Sequence, residues 1–136
     1  MPLQKQIIFT DKAPAAVGPY SQAVKVGELV YISGQIPINP ASGKVEAETV
    51  EDQAKQVMEN LAAILEAAGS DFSKVVKTTV LLEEMGDFGK INPIYASYFT
   101  DGQPPARACY AVDKLPLGVK IEIEAIAICP PASTEQ

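Results

Sequence analysis

The stretch VKIEIEAIAI, residues 119–128, alternates its side chains so regularly that it predicts a β-strand with two different faces. One face is aliphatic and is expected to lie under helices: Ile121, Ile123, Ala125 and Ala127. The other face mixes charges with bulky aliphatic groups: Lys120, Glu122, Glu124, Ile126 and Ile128. Left in water, this second face would present an apolar patch. We therefore expect it to be buried against another subunit.

A helix is predicted to pack on the aliphatic face of this strand. Between residues 50 and 68, apolar residues recur at steps of three and four, which is typical of an amphipathic helix. Thr49 with Asp52 resembles a capping box, and Gly69 is placed to end the helix. Residues 37–48, just before the helix, are interpreted as a long polar loop.

A second helix is expected within residues 85–100, where Pro93 leaves two possible starts. If the helix begins at Asp87, Pro93 disturbs it from inside. Alternatively, Asn92 is the N-cap and Pro93 the first helical residue. With the β-rich segments, the element order is βββαβαββ, which predicts an α+β fold with two helices on one face of a single sheet.

The composition narrows the possible chemistry. The chain has 136 residues, which fits one domain over residues 1–130 followed by a flexible tail over residues 131–136. It contains no histidine, which removes a Ser-His-Asp triad, a histidine metal site and a histidine general base. Cys109 and Cys129 are not a Cys-x-x-Cys pair. We expect no metal and no cofactor.

Charge and hydropathy limit the possible partners and location. The net charge is −6 and there is no cluster of Lys or Arg, so nucleic-acid binding is not expected. No apolar run approaches the ~18 residues of a membrane span. The first ten residues lack the pattern of a signal or transit peptide, so we expect a cytoplasmic protein.

Arg107 is the conspicuous charge, because it stands in a short apolar stretch with no acid beside it. Alternation, with small apolar side chains assigned to the helix side, predicts that Arg107 and Cys109 share the sheet face of Glu122 and Glu124. One interpretation is a structural ion pair between Arg107 and either glutamate. The other is that Arg107 binds a ligand carboxylate through its two-pronged fork, while one glutamate positions or deprotonates a water.

Five blocks in unbroken order over residues 13–128 resemble the RidA/YjgF family of reactive-intermediate deaminases. They are APAAVGPYSQAV, SGQIPINP, VVKTTVLL, PPARACYAV and LPLGVKIEIEAIAI. The resemblance implies cofactor-free hydrolysis of 2-imino acids such as 2-iminopropanoate and 2-iminobutanoate. It also implies a homotrimer of chorismate-mutase-like subunits with sites between them, and a final strand inserted between earlier strands.

The same resemblance implies a role for individual residues. Arg107 matches the residue that binds the substrate carboxylate, and Glu122 the one that handles water. The other residues implied to line the cleft are Tyr20, Ser33, Gly34, Asn92 and Cys109.

Each of these residues also has a structural interpretation. Tyr20 can anchor a loop, Ser33 can satisfy a turn, Asn92 can cap a helix, and Cys109 can be a small buried residue. At the level of the whole chain, the alternative to an imine deaminase is a non-catalytic module of the same fold. Such a module would bind 2-oxo acids or partner proteins, or act as a chaperone or in translation.

Overall fold

A computed structural model of the chain, which describes residues 3–131, confirms an α+β fold built on a mixed six-stranded sheet. The strands are β1 Lys5–Ile8, β2 Ala23–Val26, β3 Leu29–Gln35, β4 Ile38–Asn39, β5 Lys44–Val45, β6 Val75–Leu82, β7 Ala106–Ala111 and β8 Ile121–Ile128. The helices are α1 Val50–Ala67 and α2 Phe88–Ala96, with short 3-10 turns at Phe72–Lys74, Met85–Asp87 and Pro116–Gly118.

The last strand of the chain lies inside the sheet. The strand order is β1-β2-β3-β8-β6-β7, so β8 separates β3 from β6 and is antiparallel to both. Insertion of the final strand between earlier ones, implied by the family resemblance, is confirmed. β7 pairs with β6 in parallel and forms one edge of the sheet.

Both helices lie on the side of the sheet to which the aliphatic face of β8 belongs, as predicted. Ile121, Ile123, Ala125 and Ala127 are all buried in the core. The same core contains Leu61 and Ile64 of α1 and Ile91 and Tyr95 of α2. Burial of these side chains is the main favourable contribution to folding, at about 1.5–3 kcal/mol for each fully buried large aliphatic residue.

The ends of α1 follow the predicted capping chemistry. The Thr49 hydroxyl accepts a hydrogen bond from the backbone N–H of Asp52 at 3.1 Å. At the other end Gly69 has a φ of 79°, which an L side chain rarely adopts. The N–H of Ser70 then donates to the carbonyl of Leu65 at 2.8 Å, closing a Schellman motif.

The second helix runs through its proline. α2 contains Pro93, so the alternative in which Asn92 caps the helix is wrong. Pro93 cannot donate to the carbonyl of Gly89, four residues earlier. Both residues are exposed, so water can hydrate that carbonyl and the helix continues. Asn92 therefore lies within the helix, where its side chain is available for other contacts.

The polar loop predicted over residues 37–48 contains a short hairpin, because β4 pairs with β5. Asn60 holds the approach to this hairpin by donating to the carbonyls of Ile36 and Ile38. The tail predicted over residues 131–136 lies, from residue 132 onward, outside the described residues. Within residues 3–131, no helix is both long and apolar enough to cross a bilayer.

Candidate functional site

Arg107 is held by the side chains of α2. Its Nη1 donates to Oδ1 of Asn92 at 2.8 Å. The guanidinium carbon lies 5.1 Å from the centroid of the Phe88 ring and 4.8 Å from that of Tyr95, both within cation–π range. The Arg107 residue remains exposed, so its other N–H groups can reach a ligand.

The predicted orientation of β7 is wrong. Residues paired across neighbouring strands share a sheet face, and Arg107 pairs with Thr78, which is 1% exposed beneath the helices. Arg107 and Cys109 therefore lie on the helix face. Glu122 pairs with Leu81 on the opposite face. Assigning the small residues of β7 to the helix side failed because β7 is an edge strand, where the helix layer leaves room for a long side chain.

The Tyr95 ring, which packs against Arg107, is held in place by burial and by a hydrogen bond. Tyr95 is buried, and its hydroxyl lies 2.7 Å from the hydroxyl of Thr78. Burial raises the pKa of the Tyr95 phenol, so the ring stays neutral at physiological pH. None of the ion pairs in residues 3–131 includes Arg107. The predicted ion pair with Glu122 or Glu124 therefore does not form within one chain.

Glu122 lines a cavity on the helix-free face of the sheet. Its side chain is half-buried in the chain. Burial, and to a lesser degree the negative charge of Glu124, raises the pKa of the Glu122 carboxyl above its ordinary value. A carboxyl group tuned upward in this way is closer to the range in which it can exchange a proton with water.

Gly34 is needed at its position because Glu122 occupies the space beside it. Between Ile32 and Gln35 the pairing of β3 with β8 shifts register, so three steps on β3 match two on β8. Such a β-bulge re-aims the chain locally. A Cβ on residue 34 would lie 2.9 Å from Cδ of Glu122 and closer still to its Oε2. Any side chain there would have to displace the carboxylate.

Ser33 and Tyr20 border the same region. The Ser33 hydroxyl donates to the carbonyl of Ser21 at 2.6 Å, which supports the structural interpretation of this residue. Tyr20 is 51% exposed. Together with Glu122 and Gly34 they line a cavity of about 540 Å³. Two large apolar residues at this cavity, Val17 and Leu117, were not identified from the sequence.

Cys109 packs partly against the core beside β6. Burial raises the pKa of its thiol, and the opposing effect of the Arg107 charge is smaller. A thiol that stays protonated is a weak nucleophile and a weak metal ligand, so the structure favours the interpretation of Cys109 as a small packing residue. Within residues 3–131, no group of three or more His, Cys, Asp or Glu side chains is arranged to hold a metal ion.

The seven candidate residues thus form two separate groups. Asn92, Arg107 and Cys109 lie on the helix face at β7 and α2. Tyr20, Ser33, Gly34 and Glu122 lie around the bulge on the opposite side. Phe88 and Tyr95, which the sequence analysis did not identify as site residues, contact Arg107 and so join the first group. The helical spacing of these aromatic residues around Asn92 is a signal that could have indicated an arginine cradle.

Comparison with known proteins places the chain among relatives of similar length. The family model described as Endoribonuclease L-PSP matches residues 10–129. The chain is 55% identical over 127 residues to a mouse protein named 2-iminobutanoate/2-iminopropanoate deaminase, covering 93% of each.

Solved structures agree with this assignment. RidA from the Antarctic bacterium Psychrobacter is 47% identical with a TM-score of 0.86, over 90% of this chain and 98% of that one. TdcF of E. coli with bound serine is 45% identical with a TM-score of 0.85, over the same shares. The family resemblance of the sequence blocks is therefore confirmed, and the chain belongs to the Endoribonuclease L-PSP family, also called RidA/YjgF.

Proposed function

We propose that the protein hydrolyses reactive 2-imino acids, in equilibrium with their enamines, to 2-oxo acids and ammonia. The observation that carries the proposal is Arg107, a permanent cation fixed on two aromatic rings with no carboxylate paired to it within the described chain. A planar fork of this kind suits a substrate carboxylate. Two relatives support the choice of ligand: the mouse protein is named for 2-imino acids, and TdcF binds serine, which carries a carboxylate.

The complete site requires two copies of the chain. Arg107 and Glu122 lie on opposite faces of one sheet, so one molecule cannot bring both to one substrate. A closed homotrimer of chorismate-mutase-like subunits would place Arg107 of each protomer against the Glu122 cavity of its neighbour. The helix-free face supports such an assembly, because Tyr31, Tyr110 and Ile128 are exposed there as large apolar residues.

The chemistry follows from positioning. The substrate carboxylate binds Arg107, which places the C=N carbon against a water held by Glu122 of the neighbouring protomer. Glu122 accepts a proton from the water as its oxygen bonds to that carbon and passes this proton to the imine nitrogen, giving a neutral carbinolamine. The hydroxyl proton of the carbinolamine then passes through Glu122 to the amino group as the C=O bond forms and the C–N bond breaks, so one imine and one water yield one 2-oxo acid and one ammonia. Because an imine is already electrophilic, orientation and charge stabilisation supply what the reaction needs.

The competing functions find less support. Cleavage of RNA, which the family description names, would require attraction to phosphates, and the net charge is −6 with no histidine to act as a general base. A non-catalytic module would not require Gly34 beside a half-buried glutamate. The cytoplasmic location expected from the sequence stays a prediction.

Removing the guanidinium tests the proposal directly. Imino acids generated by an L-amino-acid oxidase are trapped with semicarbazide, and the wild-type protein is expected to lower the semicarbazone signal. Arg107→Ala is expected to lose about 100-fold or more of this activity, since one fixed charge partner is worth that much in a preorganised site. Arg107→Lys keeps the charge without the fork and should recover only part of the loss.

The same variant separates a substrate contact from a structural ion pair across an interface. Size-exclusion chromatography of Arg107→Ala should show the assembly unchanged. If it dissociates, and the remaining assembly is fully active, Arg107 pairs with a glutamate and does not hold substrate. Absence of turnover by the wild type, across imines derived from alanine to leucine, would instead favour the non-catalytic module.

Gly34→Ala should damage the site without removing any functional side chain. The added methyl collides with Glu122, which must move, so we expect turnover to fall at least tenfold. Gly86→Ala is the matched control, because a Cβ there meets nothing within 4 Å and its backbone has an ordinary φ. Equal activity of the two variants in the trapping assay would show that the position of Glu122 does not matter.

The acid limb of the pH profile should respond to Glu124. Glu122 acts as the carboxylate, so activity falls as pH decreases through its pKa. The charge of Glu124 raises that pKa, and Glu124→Gln removes this effect. The limb should therefore move to lower pH, whereas Glu83→Gln, at an exposed position outside the cavity, should leave it in place. A limb that stays fixed or moves upward in Glu124→Gln contradicts the role of Glu122.

A further inference from the structure

The cavity beside Glu122 has a polar end and an apolar end. Glu122, Ser33 and Gly34 form the polar end, where the proposed chemistry takes place. The remaining lining is dominated by apolar residues: Val17, Ile36, Ile38, Pro116 and Leu117. The two ends belong to one continuous cavity of about 540 Å³, so a ligand at Glu122 also meets the apolar wall.

Leu117 is unusual in both conformation and exposure. Its φ is 57° and ψ is 17°, the left-handed region that residues other than glycine seldom occupy. Its side chain is nevertheless 74% exposed, so core packing does not explain the conformation. Across the same cavity Val17 is 86% exposed. Backbone conformations of this kind concentrate at ligand sites, where the strain positions a side chain.

In the single chain, the cavity is also larger than the smallest proposed substrate requires. Its volume falls in the range of about 300–1,000 Å³ that is typical of sites for drug-sized ligands. A 2-iminopropanoate has six non-hydrogen atoms, and its carboxylate would be bound by Arg107 of the neighbouring protomer. Its side chain, a single methyl group, would be too short to contact the apolar residues along the cavity wall. A longer apolar side chain would contact them.

We propose that Val17 and Leu117 form the subsite for the substrate's side chain and select 2-imino acids with branched aliphatic or aromatic side chains over the alanine-derived imine. The inference rests on the proposed function, since it assigns the remaining part of the same site. Imines with acidic side chains are disfavoured, because Glu122 and Glu124 also line the cavity. The subsite thus selects substrates by the length of their apolar side chain.

The test compares two substrates in one protein. The ratio of kcat/KM for the leucine-derived imine to that for the alanine-derived imine is measured for the wild type and for Leu117→Asn. Asparagine tolerates the left-handed backbone, so the loop is retained while the apolar surface is lost. We expect the ratio to fall about tenfold, because one or two methylene groups bound in an apolar pocket change kcat/KM by about that factor. Leu3→Asn, at an exposed leucine that does not line the cavity, should leave the ratio unchanged.

The outcomes separate this inference from the function on which it rests. Turnover of both imines with a ratio that Leu117→Asn does not alter overturns the subsite and leaves the deaminase intact. Absence of wild-type turnover overturns the deaminase. In that case calorimetric titration with the corresponding 2-oxo acids decides: tighter binding of 4-methyl-2-oxopentanoate than of pyruvate, lost in Leu117→Asn, supports the subsite, and equal binding overturns it.

Discussion

A β-sheet has two faces, and the cation and the carboxylate of this site lie on opposite ones. Arg107 reaches over the rings of α2 on the helix side, while Glu122 points away from the helices. Strand alternation fixes this separation, and no side-chain rotation can reverse it. Under the proposed function, the single chain therefore presents two incomplete sites, each with one of the two charged groups assigned to imine hydrolysis. In isolation this also keeps Arg107 from being neutralised by Glu122, so its fork stays available for a substrate.

The insertion of β8 between β3 and β6 positions the carboxylate half. Because β8 pairs with β3, the bulge at Ser33 and Gly34 lies directly beside Glu122. Glu122 is consequently half-buried and close to Glu124, and both its burial and the charge of Glu124 raise the pKa of Glu122. Such tuning concentrates at functional sites. If β8 lay at an edge of the sheet, Glu122 would be exposed to water and its pKa would be ordinary.

Much of this structure could be predicted from the sequence, because periodicity and capping are local. The two faces of β8, the cap at Thr49 and the stop at Gly69 all follow from short-range rules. The position of β8 in the sheet depends on long-range pairing, and only the family resemblance indicated it. The prediction of which way β7 faces was wrong for a related reason. In a central strand the apolar side chains are the ones buried under the helices, but in an edge strand burial distinguishes the two faces only weakly. Leu117 was missed because its backbone conformation cannot be read from residue type.

We propose that each site is shared between two subunits, and mixing two inactive variants tests this. Arg107→Ala retains Glu122, and Glu122→Gln retains Arg107, so a mixed trimer rebuilds intact sites that neither variant has alone. Unfolding and refolding the two in equal amounts should restore about a quarter of wild-type activity, because about three quarters of randomly assembled trimers are mixed and each of these holds one intact site in three. Arg107→Ala mixed with the double variant should stay inactive. If native mass spectrometry shows mixed trimers and no activity returns, the site is not shared and this account of it is wrong.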